Sequence, residues 1–190
     1  MSGPVVALCG LPGSGKTSLA LALARRFGWP ALHYDDYETA TAWPVADLRR
    51  WVDAGCDYAR IGLGALPGDL ARAASRGPVL LDTLLGRAHP AMAGAIDLAI
   101  WIDTPADVAL ARKVAGAAAR ARGESGEAAF AAWLESWLSL YDDVIAAAYR
   151  IQEERVRSGC EIAIDGRPAA GAVASAAAAA IEARLKAGRG

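Results

Sequence analysis

The stretch Gly10-Leu11-Pro12-Gly13-Ser14-Gly15-Lys16-Thr17 matches the pattern GxxxxGK[ST] at every fixed position. The apolar run from Pro4 to Cys9 before it is typical of a buried parallel strand, and residues 17–27 after it are rich in helix formers. A strand, a glycine-rich loop and a helix in this order form the structural context of a phosphate-binding loop. We therefore expect this loop to bind the phosphates of a nucleotide; the alternative is a glycine-rich turn that binds nothing.

The residue types of the loop suit this chemistry. Glycines let successive backbone N–H groups turn inward toward phosphate oxygens, where side chains would block the approach. Lys16 supplies a positive charge for the β- and γ-phosphates, and the hydroxyl of Thr17 is placed to bind Mg²⁺. The helix that begins here also turns its positive end toward the anion. The predicted nucleotide contacts within the loop are Gly10, Pro12, Gly13, Ser14, Gly15, Lys16, Thr17 and Ser18.

Length, charge and cysteine content limit the class of protein. The 190 residues suit a single domain, residues 1–190, and the formal net charge of −1 with interspersed charges argues against a nucleic-acid or anionic-membrane partner. The three cysteines are far apart and lack metal-ligand spacing. No signal peptide or membrane-spanning run is evident, so we expect a reduced, cytoplasmic protein, monomeric or homodimeric.

Carboxylates follow two further predicted strands. A short strand over 31–34 leads to Asp35 and Asp36, and a strand over 79–82 ends in Asp82. Parallel strands deliver their carboxyl ends to one edge of a sheet, so these carboxylates are expected near the phosphate loop. One of Asp35 and Asp36 is expected to face a substrate, because adjacent residues point in opposite directions. Asp82 either supports Mg²⁺ or caps the next turn.

Residues 38–77 are longer than a minimal crossover between strands and predict an inserted segment on the substrate side, with helical segments over about 45–54 and 58–75, the second interrupted by Gly and Pro residues. The sequence leaves two alternatives for the polar residues of this segment, contact with a substrate and local packing. The following loop, at the same edge, holds an arginine suited to an anionic group and a histidine that suits a loop as well as a catalyst. The candidate substrate contacts are Asp35, Tyr37, Arg60, Arg87 and His89.

The second half of the chain predicts a fourth strand over 96–102, a helix, and a small-residue lid over about 112–126 that carries Arg112, Arg120 and Arg122. A solvated connector is the alternative to a lid. A long helix over 127–158 follows, with an aromatic residue every fourth position, which favours core packing over a base-stacking platform. A fifth strand over 160–164 and a turn with Gly166 and Arg167, suited to a nucleotide base, precede the last helix.

Four motifs, in this order, resemble those of the uridine kinase-like branch of the P-loop small-molecule kinases, which includes pantothenate kinase and phosphoribulokinase. They are the phosphate loop, Asp35-Asp36-Tyr37, Ile102-Asp103-Thr104-Pro105 and Ile162-Ala163-Ile164-Asp165-Gly166. The sequence departs from that family at Asp82-Thr83-Leu84-Leu85-Gly86, where Glu-Gly is usual, and after Arg112-Lys113, where Arg-Asp is usual.

The resemblance implies an α/β P-loop NTPase fold, a three-layer sandwich whose five-stranded parallel sheet has helices on both faces and a short lid. It implies ATP and Mg²⁺ as cofactors and transfer of the γ-phosphoryl group to a hydroxyl of a small molecule, with nucleoside-like acceptors favoured. Asp35 matches the proton-accepting aspartate of the family, and Lys16, Arg112 and Arg120 would complete the catalytic set. Which lid arginine contacts the phosphates stays open.

Two other classes of function remain possible at this stage. A nucleotide switch or transport ATPase would transfer the phosphoryl group to water, but the chain contains no Asn and hence no Asn-Lys-x-Asp guanine-reading element. A degenerate loop in a pure binding module is disfavoured by the intact Lys16-Thr17 pair. A kinase is therefore the leading hypothesis from sequence.

Overall fold

A computed structural model describes residues 2–122 and 126–187. Its centre is a sheet of five parallel strands in the order β2-β3-β1-β4-β5, with helices on both faces, which confirms the predicted fold class. The strands are β1 (Val5–Cys9), β2 (Ala31–His33), β3 (Val79–Asp82), β4 (Leu98–Asp103) and β5 (Ile162–Asp165). The helices are α1 (Lys16–Phe27), α2 (Val45–Asp53), α3 (Leu66–Ala74), α4 (Pro90–Ala93), α5 (Ala106–Arg120), α6 (Gly126–Ser139), α7 (Ala146–Arg157) and α8 (Ala170–Ala187).

Side chains of β1 alternate between two hydrophobic cores, because successive strand residues point to opposite faces of a sheet. Val5 and Ala7 face one core, which α2, α3 and α7 cover, and Val6 and Leu8 face the other, which α1 and α8 cover. Because both faces are buried, the strand sequence is apolar throughout instead of alternating with polar residues.

The register of the strands brings the predicted functional residues to one edge of the sheet. Leu8 in β1 pairs with Asp82 in β3, and His33 in β2 pairs with Asp82 from the other side. The phosphate loop follows β1, and β1 lies between β3 and β4 in the sheet. Chain segments that follow β1, β2 and β3 therefore meet over a short distance.

One local prediction differs from the structure. The long helix predicted over 127–158 is two helices, α6 and α7, separated by a π-helical turn at Tyr141–Ile145. The helical segment predicted over 58–75 with a Gly/Pro interruption is a 3₁₀ turn at Tyr58–Arg60 followed by α3, with Gly62 and Gly64 between them. The described part of the predicted lid, 112–122, is helical, and residues 123–125 lie outside the described residues. Closure of a lid stays a prediction.

In residues 2–122 and 126–187, no helix combines the length and the apolar character that crossing a bilayer demands.

Two leucines of α1 give a matched test of the core between this helix, α8 and the sheet. Leu23 is fully buried there, whereas Leu21 is 45% exposed on the opposite side of the same helix. We expect Leu23→Ala to lower the free energy of unfolding by about 2–5 kcal/mol, because it removes buried methyl groups and leaves a cavity. Leu21→Ala is expected to change it by no more than about 0.5 kcal/mol. Urea denaturation measures both; equal losses would contradict this packing arrangement.

Candidate active site

The phosphate loop has a conformation that requires glycine. Gly13 and Gly15 have φ angles of +88° and +102°, a region that residues with a Cβ rarely adopt. A Cβ on Gly13 would lie 2.0 Å from the carbonyl oxygen of Ala109 in α5. Glycine at position 13 therefore lets α5 pack directly against the loop.

Lys16 and Ser14 lie inside this loop. Lys16 is 7% exposed, and its Nζ donates to the carbonyl oxygen of Leu11 at 3.0 Å across the loop. Burial lowers the pKa of Lys16, and the negative charges of Asp82 and Asp35 oppose that shift. The Ser14 hydroxyl is buried without a hydrogen-bond partner among the described residues. An unsatisfied hydroxyl beside a buried ammonium group fits a loop that receives a polar ligand.

Asp82 joins the loop to β2 and β3. The Thr17 hydroxyl donates to its Oδ2 at 2.6 Å, and Nδ1 of His33 lies 3.0 Å from the same oxygen. Mg²⁺ binds oxygen ligands. Beside a phosphate-binding loop it takes only one or two of them from the protein, because the nucleotide and water supply the others. Thr17 and Asp82 therefore fit the predicted magnesium site. The sequence did not single out His33, which only the pairing of β2 with β3 brings there.

Asp35 follows β2 in a 3₁₀ turn at Tyr34–Asp36. The residue is exposed at the edge of the site, and partial burial of its carboxyl raises the pKa. The positive charges of Lys16 and Lys113 lower that pKa, whereas the charge of Asp82 raises it. Asp36 lies near Tyr37 instead, where its charge contributes to that tyrosine's raised pKa. Of the two adjacent aspartates, Asp35 therefore lies in the field of the phosphate-loop lysine.

Lys113 is a second basic group of the site, and sequence reasoning passed over it in favour of nearby arginines. A Cβ on Gly13 would lie 3.2 Å from the Cβ of Lys113, so α5 carries this lysine directly above the phosphate loop. Burial lowers the pKa of Lys113, and the charge of Asp35 opposes the shift. The sequence feature that could have identified Lys113 is its position next to Arg112 in the same predicted helix.

Arg112 lies beside the turn that was predicted to hold the nucleotide base. Its guanidinium donates to the carbonyl oxygens of Gly166 at 2.7 Å and Arg167 at 3.2 Å, so it braces the turn after β5, and the residue also lines the cavity between that turn and the phosphate loop. Contact of Arg112 with the phosphates stays a prediction. Arg167 in turn forms an ion pair with Asp165 at 2.8 Å. The sequence predicted this turn as a nucleotide site, but Arg112's role in bracing it depends on the contact between α5 and β5.

A cavity of about 700 Å³ lies between the phosphate loop and that turn. Ser14, Gly15 and Ser18 line one side, and Gly166 and Pro168 line the other. A cleft of this size that begins at a phosphate-binding loop can accommodate the base and ribose of a nucleotide. The structure thus brings the predicted loop and turn residues to one cavity.

Two later residues hold the loop from outside. The amide Nε2 of buried Gln152 in α7 donates to the carbonyl oxygen of Gly10 at 3.2 Å and to that of Leu84 at 2.7 Å. The Thr104 hydroxyl donates to the carbonyl oxygen of Ser14 at 3.2 Å. Neither contact could be predicted from the sequence, because both depend on the packing of distant segments.

Arg87 and His89, two predicted substrate contacts, are engaged elsewhere. The Arg87 guanidinium donates to the carbonyl oxygens of Ile96 and Gly159, which precede β4 and β5 at the opposite edge of the sheet. His89 is buried: Nδ1 accepts from the backbone N–H of Ala91, so Nε2 carries the proton and donates to the Ile61 carbonyl at 3.0 Å. These contacts argue against the predicted substrate contact for both residues.

The other candidate substrate and lid residues lie outside the loop. The Tyr37 hydroxyl donates to Asp69 at 3.0 Å, and the Arg60 guanidinium lies 5.8 Å from the centre of the Trp43 ring. Arg120 lines a groove between α5 and α6. Arg122 is exposed beyond the end of α5. Of Lys113 and these two arginines, Lys113 is the one that the structure places against the phosphate loop, beside Gly13.

Comparison with known proteins identifies the fold. No protein-family model matches the chain, and no curated protein does. Shikimate kinase from Aquifex aeolicus matches with a TM-score of 0.51 at 14% identity, over 95% of this chain and 98% of that one. Deoxyadenosine kinase from M. mycoides matches with a TM-score of 0.52 at 11% identity, over 94% and 99%. The chain therefore has a fold found in P-loop small-molecule kinases.

Gly166 offers a test of the cavity wall. A Cβ there would lie 1.9 Å from Oγ1 of Thr104 and 3.0 Å from Cγ2 of Ile102, so the turn must shift. We expect Gly166→Ala to weaken ATP binding and to lower the free energy of unfolding by about 1–3 kcal/mol, a typical cost of overpacking. Gly94→Ala is the control, because nothing lies within 4 Å of its added Cβ. Titration with a fluorescent ATP analogue and thermal denaturation measure both effects; unchanged nucleotide affinity in Gly166→Ala would contradict this assignment.

Proposed function

We propose that this protein is an ATP-dependent kinase that transfers the γ-phosphoryl group to a hydroxyl of a small molecule. The observation that carries the proposal is the convergence of Lys16, Asp35 and Asp82 at the carboxyl edge of three adjacent strands. A phosphate-binding loop alone would suit any nucleotide-binding protein, whereas a carboxylate that lies within the field of its lysine suits transfer to an acceptor hydroxyl.

In this mechanism the loop holds the phosphates. Backbone N–H groups around Gly13 and Gly15 and the ammonium group of Lys16 neutralise the charge on the β- and γ-phosphates. Thr17 and Asp82 would hold Mg²⁺, which would supply positive charge to offset that of the phosphates. Contacts of α5 with Gly13 and of Gln152 with Gly10 hold the loop in this conformation without a nucleotide. Such preorganisation avoids a reorganisation cost during the reaction.

Asp35 would accept the proton of the acceptor hydroxyl as the oxygen attacks the γ-phosphorus. The transition state of phosphoryl transfer is loose, so orientation of that hydroxyl contributes more than strong basicity. Lys113, above the loop, would add positive charge where the transferred group develops negative charge. This assigns to Lys113 the role that the sequence had suggested for Arg112 or Arg120.

The motif order supports a place in the uridine kinase-like branch, and on that basis we favour a nucleoside-like acceptor. The base of ATP would lie in the cavity beside Gly166 and Pro168. The neighbours by structure act, by their names, on shikimate and deoxyadenosine. Kinases of this fold thus differ widely in acceptor, and fold alone does not select one.

The direct test is Mg²⁺-dependent ATP consumption with a panel of nucleosides, pantothenate-like compounds, sugars and aminoglycosides. We expect at least one acceptor to stimulate turnover toward about 1–100 s⁻¹, the range of kinases, with a phosphorylated acceptor as the product. Lys16→Ala should abolish that turnover, because it removes the charge that faces the phosphates. Slow hydrolysis that no acceptor stimulates would contradict the proposal and favour an ATPase or nucleotide switch.

The pH profile tests the role of Asp35. Because the carboxyl must be ionised to accept a proton, kcat/KM is expected to rise with pH and to level off above the pKa of Asp35. Burial raises that pKa, so the rise should lie at higher pH than an ordinary aspartate would give. Asp35→Asn should lose this acid limb and lower turnover by about 10²-fold or more, while a thermal shift shows unchanged ATP binding.

Asp36→Asn is the matched control, because it removes the same charge one position away. It is expected to keep both the acid limb and near-normal turnover. Near-normal turnover in Asp35→Asn, or loss of turnover in Asp36→Asn alone, would show that Asp35 does not accept the proton.

A further inference from the structure

We propose that Trp137, Tyr141 and Tyr149, here named the aromatic wall, form the acceptor subsite and stack against the flat face of a ring in the acceptor. The inference rests on the proposed kinase function and deepens it. It assigns the acceptor to compounds whose hydroxyl is carried on, or attached to, a planar heterocycle or a saturated ring with an apolar C–H face.

The aromatic wall is the inner end of a continuous row of rings. Ring centres are separated by 5.7 Å between Trp133 and Trp137, by 5.1 Å between Trp137 and Tyr141, and by 6.5 Å between Tyr141 and Tyr149. Trp133 and Trp137 are nearly parallel, at 11°. The π-helical turn after α6 allows the row to continue from α6 to α7.

The rings of Trp133, Trp137 and Tyr141 do not form the core that their spacing predicts, whereas Tyr149 packs against the core that α2, α3 and α7 cover. None of the residues of α6, all of which are described, is fully buried, and Trp137 and Tyr141 belong to neither hydrophobic cluster. Both rings are half-buried. Large aromatic side chains that remain partly in contact with water cost hydrophobic free energy, and contiguous apolar surface of this kind commonly marks a binding site.

Both ends of the aromatic wall are anchored at the phosphate loop. At one end, Nζ of Lys113 lies 5.8 Å from the ring centre of Trp137, and the Cβ of Lys113 packs against Gly13. At the other end, Tyr149 lies one helical turn before Gln152, whose amide binds the carbonyl oxygen of Gly10. The wall therefore spans the side of the loop, beside the two lysines and the carboxylate of the proposed catalytic site.

The position of Asp35 agrees with this geometry. Its charge is close enough to Tyr149 to contribute to the raised pKa of that tyrosine, whose main cause is burial. A hydroxyl that Asp35 orients would thus belong to a molecule lying along the wall. Aromatic faces bind other flat faces by stacking and dispersion, whereas an acyclic polyol or branched acid offers no such face.

Kinetics of Trp137→Ala against Phe130→Ala would test the proposal. Phe130 is a fitting control because it lies on the same helix and is also half-buried, but it lines the groove with Ala117 and Arg120 and stacks on Trp133, not on Trp137. The probes are uridine and adenosine as planar heterocycles, glucose and myo-inositol as saturated rings, and gluconate and glycerol as acyclic compounds.

We expect a ring compound to be the preferred acceptor. Trp137→Ala should raise its KM about 10-fold, the loss expected when one stacking partner is removed, with little change in the KM for ATP. Phe130→Ala should leave both KM values near those of the wild type, and Trp137→Phe should recover most of the affinity. Preference for uridine or adenosine identifies a heteroaromatic ring, and preference for glucose or myo-inositol identifies a saturated one.

Preference for an acyclic acceptor, or equal KM changes in the two alanine variants, would overturn the proposal. Calorimetric titration of the same compounds into protein with ADP and Mg²⁺ separates this failure from failure of the kinase proposal. Binding of a ring compound that Trp137→Ala abolishes would support the aromatic wall even if no phosphoryl transfer occurs. Absence of binding by every ring compound would overturn it, and thermal denaturation verifies that both alanine variants are folded.

Discussion

The hydrogen bond of 2.6 Å from the Thr17 hydroxyl to Asp82 fixes the part of the structure on which the candidate site depends. It ties the first turn of α1, and with it the phosphate loop, to the end of β3. His33 contacts the same carboxylate oxygen from β2 at 3.0 Å. One nearly buried carboxylate thus sets the relative positions of three segments, and Asp35 follows only two residues after His33. The distance between the loop and the proposed proton acceptor depends on this junction together with the backbone pairing of β2, β3 and β1.

Later segments complete the site by packing against the loop from outside. Gly13 permits close contact with α5, and a larger residue there would force apart the helix that carries Lys113. Gln152 binds Gly10, and the same face of α7 carries Tyr149. Each contact that stabilises the loop therefore also positions a charged or aromatic side chain beside it. Structural support and the proposed chemistry are inseparable in this arrangement.

The aromatic residues show where sequence periodicity stops being informative. Trp133, Trp137 and Tyr141 recur every four residues, and that spacing correctly places them on one face of a helix. Whether the face meets a core or a cleft depends on what packs opposite. α6 contacts α5, whose facing residues include the small Ala117, so the rings remain half-buried. Alanine fits either environment, and an alanine-rich sequence therefore carries little information about which side is the core.

The sequence by itself determined the phosphate loop, the five apolar strands and the carboxylates at their ends, because these depend on local spacing and on the shared direction of parallel strands. Only the tertiary structure decided which side chains meet. In that structure, Arg112 binds the turn at Gly166, Arg87 binds carbonyl groups at the opposite edge of the sheet, and Lys113 and His33 lie at the candidate site. Those positions depend on contacts between residues dozens of positions apart. Strand order and helix packing set the geometry of such contacts, and the local sequence does not encode it.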